Sequence, residues 1–208
     1  MNTPAYTRPM LTDLMSRAMI VVLFTIFSMN LFGDYMRTGH VTSLLVLVGE
    51  SLVVILTVVR RRAQHVDRSV AAAVITTLSV AGPPLLRVSD ATPLLADPAT
   101  ATVCALGLVL VVVGKMALGR SFGLVPANRG IVVRGPYMFV RHPIYTGYLI
   151  THAAFFAANP APWNAGVILV ADTLLIMRAL MEERILSSDV EYQGYCRRVG
   201  WHLVPGVF

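Results

Sequence analysis

The chain has 208 residues, 56% of them hydrophobic and only 13% charged, with a mean hydropathy of +0.68. Soluble domains carry nearer a quarter charged residues, so this composition argues against a soluble globular protein and for a membrane one. The formal net charge of +6 would suit nucleic acid as well as anionic lipid, and its placement favours lipid.

Apolar runs fall at 18–32, 41–59, 69–86, 99–118, 144–158 and 165–180. Crossing the hydrocarbon core takes about 20 residues, so the last two runs need their polar flanks to reach across. The first run is followed by no small-x-small cleavage site and reads as a retained span rather than a signal peptide. Between the last two lies Asn159-Pro160-Ala161-Pro162-Trp163-Asn164, a turn with an interfacial tryptophan, which makes them a tight helical hairpin. The expected fold is therefore an all-α integral membrane protein with about six transmembrane helices and an amphipathic C-terminal helix. Five spans plus a re-entrant hairpin is the alternative. Residues 1–117 form the N-terminal transmembrane part and residues 118–208 a second region that holds most of the polar motifs.

With the N-terminus inside, 15 of the 17 basic residues fall on the inner side, leaving Arg37 and Arg87 outside. That asymmetry predicts a multi-pass protein with both termini in the cytoplasm. Cys104 lies within a run and Cys196 in the tail, without disulfide or metal spacing. The five histidines form no pair at helical ligand spacing, so no metal is expected.

The densest polar motif is Arg134-Gly135-Pro136-Tyr137-Met138-Phe139-Val140-Arg141-His142-Pro143-Ile144-Tyr145-Thr146-Gly147. Pro143 fits the first position of the apolar helix that follows, where its missing N–H costs nothing. Free backbone N–H groups and the positive end of that helix would then face Arg141 and His142, a seat for an anion. A basic juxtamembrane turn with interfacial tyrosines is the plainer reading. The preceding segment, 119–141, is too polar to span and too apolar to float free, so it is expected to lie on the membrane surface over the hairpin. Its glycines lack the spacing of a nucleotide loop.

The second polar region starts at Arg178. Adjacent helical residues point about 100° apart, so only one of Glu182 and Glu183 can face a given pocket squarely. The simplest arrangement pairs Glu182 with Arg178 one turn earlier and leaves Glu183 in solvent. Tyr192, Tyr195 and Val199 share one face of a tail helix, which on its own reads as a membrane-surface anchor, followed by an apolar plug at 203–208.

Gly135-Pro136-Tyr137, Val140-Arg141-His142-Pro143 and Tyr145-x-Gly147 resemble the signature of the isoprenylcysteine carboxyl methyltransferase family, whose relatives include membrane phospholipid methyltransferases. Leu118-Gly119-Arg120-Ser121-Phe122-Gly123 and Asn128-Arg129-Gly130 resemble its approach to that motif. Glu182-Glu183-x-x-Leu186 and Glu191-Tyr192-x-x-Tyr195-x-x-Arg198-Val199 resemble its second block. The likeness covers about 118–208.

The resemblance implies an S-adenosylmethionine-dependent membrane methyltransferase without a Rossmann domain. Its cofactor pocket would face the cytosol, closed by the C-terminal segment, and a lipophilic substrate would enter from the bilayer. Tyr137, Val140, Arg141, His142, Pro143, Tyr145 and Gly147 would form the cofactor-binding turn, with Glu182 or Glu183 on the cofactor's ribose hydroxyls or α-amine. Arg198, together with Glu183, would act at the reacting centre, its guanidinium holding an anionic substrate head. Snorkelling to lipid phosphate is the other role open to Arg198. His202 stands where a further arginine is expected, which weakens a two-arginine carboxylate clamp. The expected reaction is carboxyl O-methylation of an isoprenylcysteine-like or other lipophilic acid. A phospholipid amine or small thiol is the alternative acceptor. A steroid-reductase-like enzyme using NADPH is the alternative class, and a non-catalytic membrane adaptor would bind neither cofactor.

Overall fold

A computed structural model describes residues 91–208 throughout, residues 51–89 with gaps, and scattered positions between 14 and 36. It is mostly helical. Two compact units divide at Arg60/Arg61. The expected run 41–59 is described from 51 onward and run 18–32 at a few positions, all of them helical; the remainder of both lies outside the described residues.

The second unit begins with a short ladder in which β1 (His65–Val66) pairs antiparallel with β2 (Ala127–Asn128). Helix α1 (Val70–Ala81) starts where the Ser69 hydroxyl accepts the Ala72 N–H at 3.0 Å, and stops at Gly82, ahead of Pro83 and Pro84. Helix α2 (Asp97–Leu118) opens on Pro98 and ends at Gly119, whose φ of +49° suits glycine. Helix α3 (Pro143–Ala158) and helix α4 (Pro162–Leu186) follow, each with proline in its first turn, and helix α5 (Val190–Arg198) closes the series.

Only α2 and α4 are long and apolar enough to cross a membrane among the described residues, fewer than the six spans expected. At 1.5 Å per residue α1 reaches only about 18 Å and α3 about 24 Å, against a core of about 30 Å. Both are cut by prolines that the hydropathy of the runs does not register. The run 165–180 extends the other way: its helix continues to Leu186 and carries both glutamates on its last turns.

The turn at 159–164 is tight. Asn164, fully buried, accepts the Arg87 N–H at 3.0 Å and donates to the carbonyls of Arg87 and Asn159 at 2.8 and 2.9 Å. The Trp163 indole donates to the Leu85 carbonyl at 2.9 Å, under the Arg87 guanidinium. The helices on either side do not form the close pair expected. Helix α3 packs far more extensively along α2, and α4 along α1, than the two pack on each other. Glycine explains the first preference. A methyl group on Gly147 would come within 2.6 Å of Val111 Cγ2 and 2.7 Å of the Gly107 carbonyl, and one on Gly107 within 2.8 Å of Thr151. The two backbones meet where neither residue has a side chain.

The outward faces of α2 and α4 are apolar: Leu106, Val109, Met116, Leu169 and Val170 are all more than half exposed. Lys115, Asn164 and Arg178 point inward. A soluble helix pair would show the opposite distribution.

Candidate functional site

The last turns of α4, the Arg141-His142 turn before α3, and the chain after α5 converge on two carboxylates. Pro143 takes the first turn of α3, as its sequence position predicts. The N–H groups of Arg141 and His142 donate to the carbonyls of Trp201 and His202, both at 2.9 Å, and the Thr146 hydroxyl donates to the Leu203 carbonyl at 2.7 Å. The anion seat expected at this helix start is therefore covered by the chain's own carbonyls, because segment 201–203 runs alongside it in the same chain direction. Leu203 is the buried residue of the expected plug; Val204 to Phe208 are exposed.

Glu183 is the hub. Its Oε1 lies 2.9 Å from His142 Nε2 and 2.7 Å from His202 Nδ1, and its Oε2 lies 3.3 Å from Arg141 Nη1. Two imidazole nitrogens on one carboxylate oxygen must both carry hydrogen, which fixes the Nε2–H form at His142 and Nδ1–H at His202. Arg141 also donates from Nε to the Val199 carbonyl at 2.8 Å and from Nη2 to the Cys196 carbonyl at 3.4 Å, capping the C-terminal end of α5.

Glu182 forms a second, adjoining set. It accepts the Tyr145 hydroxyl at 2.6 Å and pairs with Arg178 Nε at 3.6 Å, while Arg178 lies over the Tyr145 ring. His142 stacks on Tyr145 with centroids 5.4 Å apart, and its Nδ1 is 3.9 Å from Glu182 Oε2. The pairing of Glu182 with Arg178 is as expected; the solvated Glu183 is not. Both carboxylates belong to one network because the loops wrap around the end of α4 and meet its adjacent faces from two sides.

The tail helix corrects another expectation. Tyr192, Tyr195 and Val199 form a buried cluster, joined by Ile131, Val133, Leu186 and Cys196, so the aromatic face that reads as a membrane anchor packs into the protein. Segment 119–141 supplies the cover: Ile131 and Val133 lie on α5, and Asn128 Nδ2 donates to Asp189 Oδ2 at 2.9 Å. Tyr195 donates to the Tyr137 carbonyl at 2.7 Å, tying α5 to the polar motif. Burial pushes the Tyr192 and Tyr195 hydroxyls well above the ordinary phenol range, and the Glu183 charge adds to the shift, so both are neutral donors.

An open groove of about 720 Å³ lies beside this cluster, walled by Leu180, Glu183, Arg184, Tyr192, Cys196 and Arg197. Tyr192 is one of its walls, and the Tyr192 hydroxyl, buried behind that wall, has no hydrogen-bond partner among the described residues. Such an orphan is rare in a folded protein.

The sequence matches no known family model and no curated protein. The network rests on its own geometry.

Of the sequence-predicted site residues, Arg141, His142, Tyr145, Glu182 and Glu183 come together. Tyr137, Val140 and Pro143 are buried and shape the turn. Gly147 serves the α2–α3 contact rather than a ligand, since its missing side chain faces Gly107 and Val111. Arg198 is exposed. Sequence reasoning missed His202 as a partner of Glu183, reading it as a lost arginine, and missed the Tyr192 hydroxyl. It also passed over His152, which lies 2.5 Å from Asp172 across α3 and α4. Polar residues inside two apolar runs, roughly equidistant from the 159–164 turn, were the available signal.

Proposed function

We propose that the chain is an integral membrane methyltransferase that uses S-adenosylmethionine and acts on the carboxylate of a lipophilic acid, isoprenylcysteine-like or of another kind. The observation that carries this reading is the Glu183 hub: one carboxylate joins the Arg141-His142 turn to the returning C-terminal segment, at the wall of a groove with an orphaned hydroxyl.

The donor set suits that cofactor. Glu183 has three partners and room for a fourth, as a carboxylate offers about four acceptor positions, so it can take a ribose hydroxyl or an ammonium. Tyr192 supplies a neutral hydroxyl, and Arg184 and Arg197 place positive charge on the same groove for a carboxylate. Bound S-adenosylmethionine would supply an electrophilic methyl group on a sulfonium. The protein's part is alignment and exclusion of water, which its covered network favours. His142, held between Glu182 and Glu183, is a positioning residue, fixing the two glutamates relative to the turn. Arg198, exposed near the end of α5, is the candidate to hold the acceptor's carboxylate at the rim, and the anionic lipid headgroups around it are its competitors.

The membrane placement is part of the same proposal: several spans, both termini and the groove on the cytoplasmic side, and an acceptor that arrives through the bilayer. The apolar outward faces of α2 and α4 and the basic asymmetry of the loops support it.

The test is transfer of radiolabel from S-adenosylmethionine by the detergent-purified chain to farnesyl-cysteine derivatives, phosphatidylethanolamine and a simple thiol. Base-labile, volatile label on the first acceptor is the expected result. Label on the amine or thiol alone would keep the cofactor and replace the acceptor. Binding of NADPH without S-adenosylmethionine would overturn the reading.

A further inference from the structure

A second polar group lies deeper between the helices. His152 Nδ1 is 2.5 Å from Asp172 Oδ1, and the side chains are 9% and 20% exposed. His152 is the tenth residue of α3, and Asp172 is the eleventh of the 25 in α4, close to the middle of a helix long enough to span. An ionisable pair at that depth is expensive and is seldom kept for packing alone. Helix–helix hydrogen bonds in membranes add little stability on average, and an uncharged Asn or Thr would provide one.

Resting on the methyl-transfer reading, we propose that the His152–Asp172 pair receives a lipophilic carboxylic acid from the bilayer and takes its proton. A carboxylic acid in hydrocarbon is neutral, because charge is costly there, and a neutral acid is a poor nucleophile. Asp172 accepts the Nδ1–H of His152 and so leaves the lone pair on Nε2. Among the described residues Nε2 has no hydrogen-bond partner, and the pair is not sealed. In the transfer the acid's O–H bond breaks, its electron pair stays on the carboxylate, and the proton bonds to Nε2. The imidazolium formed lies between Asp172 and the new carboxylate, so neither negative charge is left unpaired.

The surroundings suit an anion moving toward the main site. Tyr145, Tyr148 and His152 are spaced three and four apart, on one face of α3. The Tyr148 ring lies 6.3 Å from His152 and 5.7 Å below the buried Lys115 ammonium of α2. Arg178 of α4 lies over Tyr145. The charged and titratable groups facing this strip are thus Lys115 from α2, Tyr145 and Tyr148 from α3, and Asp172 and Arg178 from α4. His152 to Tyr145 is about 10 Å along the helix, ending beside Glu182. Tyr145, His152, Lys115 and Arg178 are buried, while Tyr148 and Asp172 are partly exposed and give the strip its access.

The experiment uses the full chain in lipid nanodiscs with hexadecanoic acid labelled with 13C at its carboxyl carbon. Its titration is followed by NMR, with 15N-histidine labelling of the protein. The expected result is a bound acid that ionises at least ~1 pH unit lower than in protein-free nanodiscs, with one histidine Nε2 gaining a proton. His152→Gln and Asp172→Asn should abolish that shift while S-adenosylmethionine affinity stays within about twofold. An unshifted titration with the native chain, or an equal shift with His152→Gln, overturns the proposal. Should the native chain fail to bind S-adenosylmethionine, the methyl-transfer reading falls, while the 13C titration still decides whether this pair takes a proton.

Discussion

Glu183 shows how much one residue's surroundings decide. Adjacent glutamates at the end of a helix are ordinary solvated residues on sequence grounds, and the angular offset between them gives either one a claim to a pocket. The structure divides the work: Glu182 is held by Tyr145 and Arg178, Glu183 by Arg141, His142 and His202. Replacing Glu183 by Gln leaves one acceptor oxygen where two serve Arg141, His142 and His202, and sets an NH2 group against one of those donors. Glu183→Gln is therefore expected to weaken S-adenosylmethionine binding at least ~10-fold, which is about 1.4 kcal/mol. Glu182→Gln keeps an acceptor for Tyr145 and should cost less than ~10-fold. Equilibrium binding of labelled cofactor to the two variants checks the order; equal losses would place Glu182 on the ligand as well. His202 was hidden for a related reason. A histidine contributes through one ring nitrogen whose partner is distant in sequence, and no local pattern announces it.

Element-scale expectations were right at Pro143 and at the 159–164 turn, and went wrong over the lengths of α1 and α3. Pro143 and the 159–164 turn were readable, since a fixed φ and a missing N–H act locally. The shortness of α1 and α3 was readable from the same residues, and an apolar average conceals it. The partners of α3 were not readable, because the Gly107–Gly147 contact links positions on different helices. Gly147→Ala should destabilise the protein by about 1–3 kcal/mol, through overpacking against Val111 and the Gly107 carbonyl. Thermal unfolding in detergent measures this, and no loss would mean the helices move apart readily. The start of α5 gives a pH dependence. The Asn128 hydrogen bond, helped by the Glu191 N–H, holds the Asp189 carboxyl below the ordinary range. A lowered folded-state value adds stability above the ordinary carboxylate range and loses it as pH falls through the lowered value. Acidification through that window should lower the unfolding midpoint of the native chain more than that of Asp189→Asn.

At the scale of the molecule, composition identified a helical, membrane-like protein, and the two polar regions, far apart in sequence, meet at Glu182 and Glu183. Their wrapping around the end of α4 was not legible, since it depends on segments 119–141 and 190–203 packing on each other through Ile131, Val133, Tyr192 and Tyr195. The basic asymmetry of the loops still makes a topological prediction. In intact membrane vesicles of known sidedness, an impermeant maleimide should label Ser188→Cys only from the cytoplasmic side and Thr92→Cys only from the opposite side, in a background lacking Cys104 and Cys196. Both positions are exposed. Labelling of both from one side would invert or fold back the intervening helices.

The return of residues 201–203 across the start of α3 also sets an order in time. Arg141, His142 and Glu183 precede Trp201, His202 and Leu203 in the chain, so the hub gains its last imidazole and two carbonyl partners only after those later residues have been made. A chain ending before Trp201 would lack one of the three partners of Glu183 and both carbonyls that cover the Arg141 and His142 N–H groups. The closing segment thereby ties the hub's full set of partners to three late residues: the Arg141 and His142 N–H groups find their carbonyls only when that segment is in place.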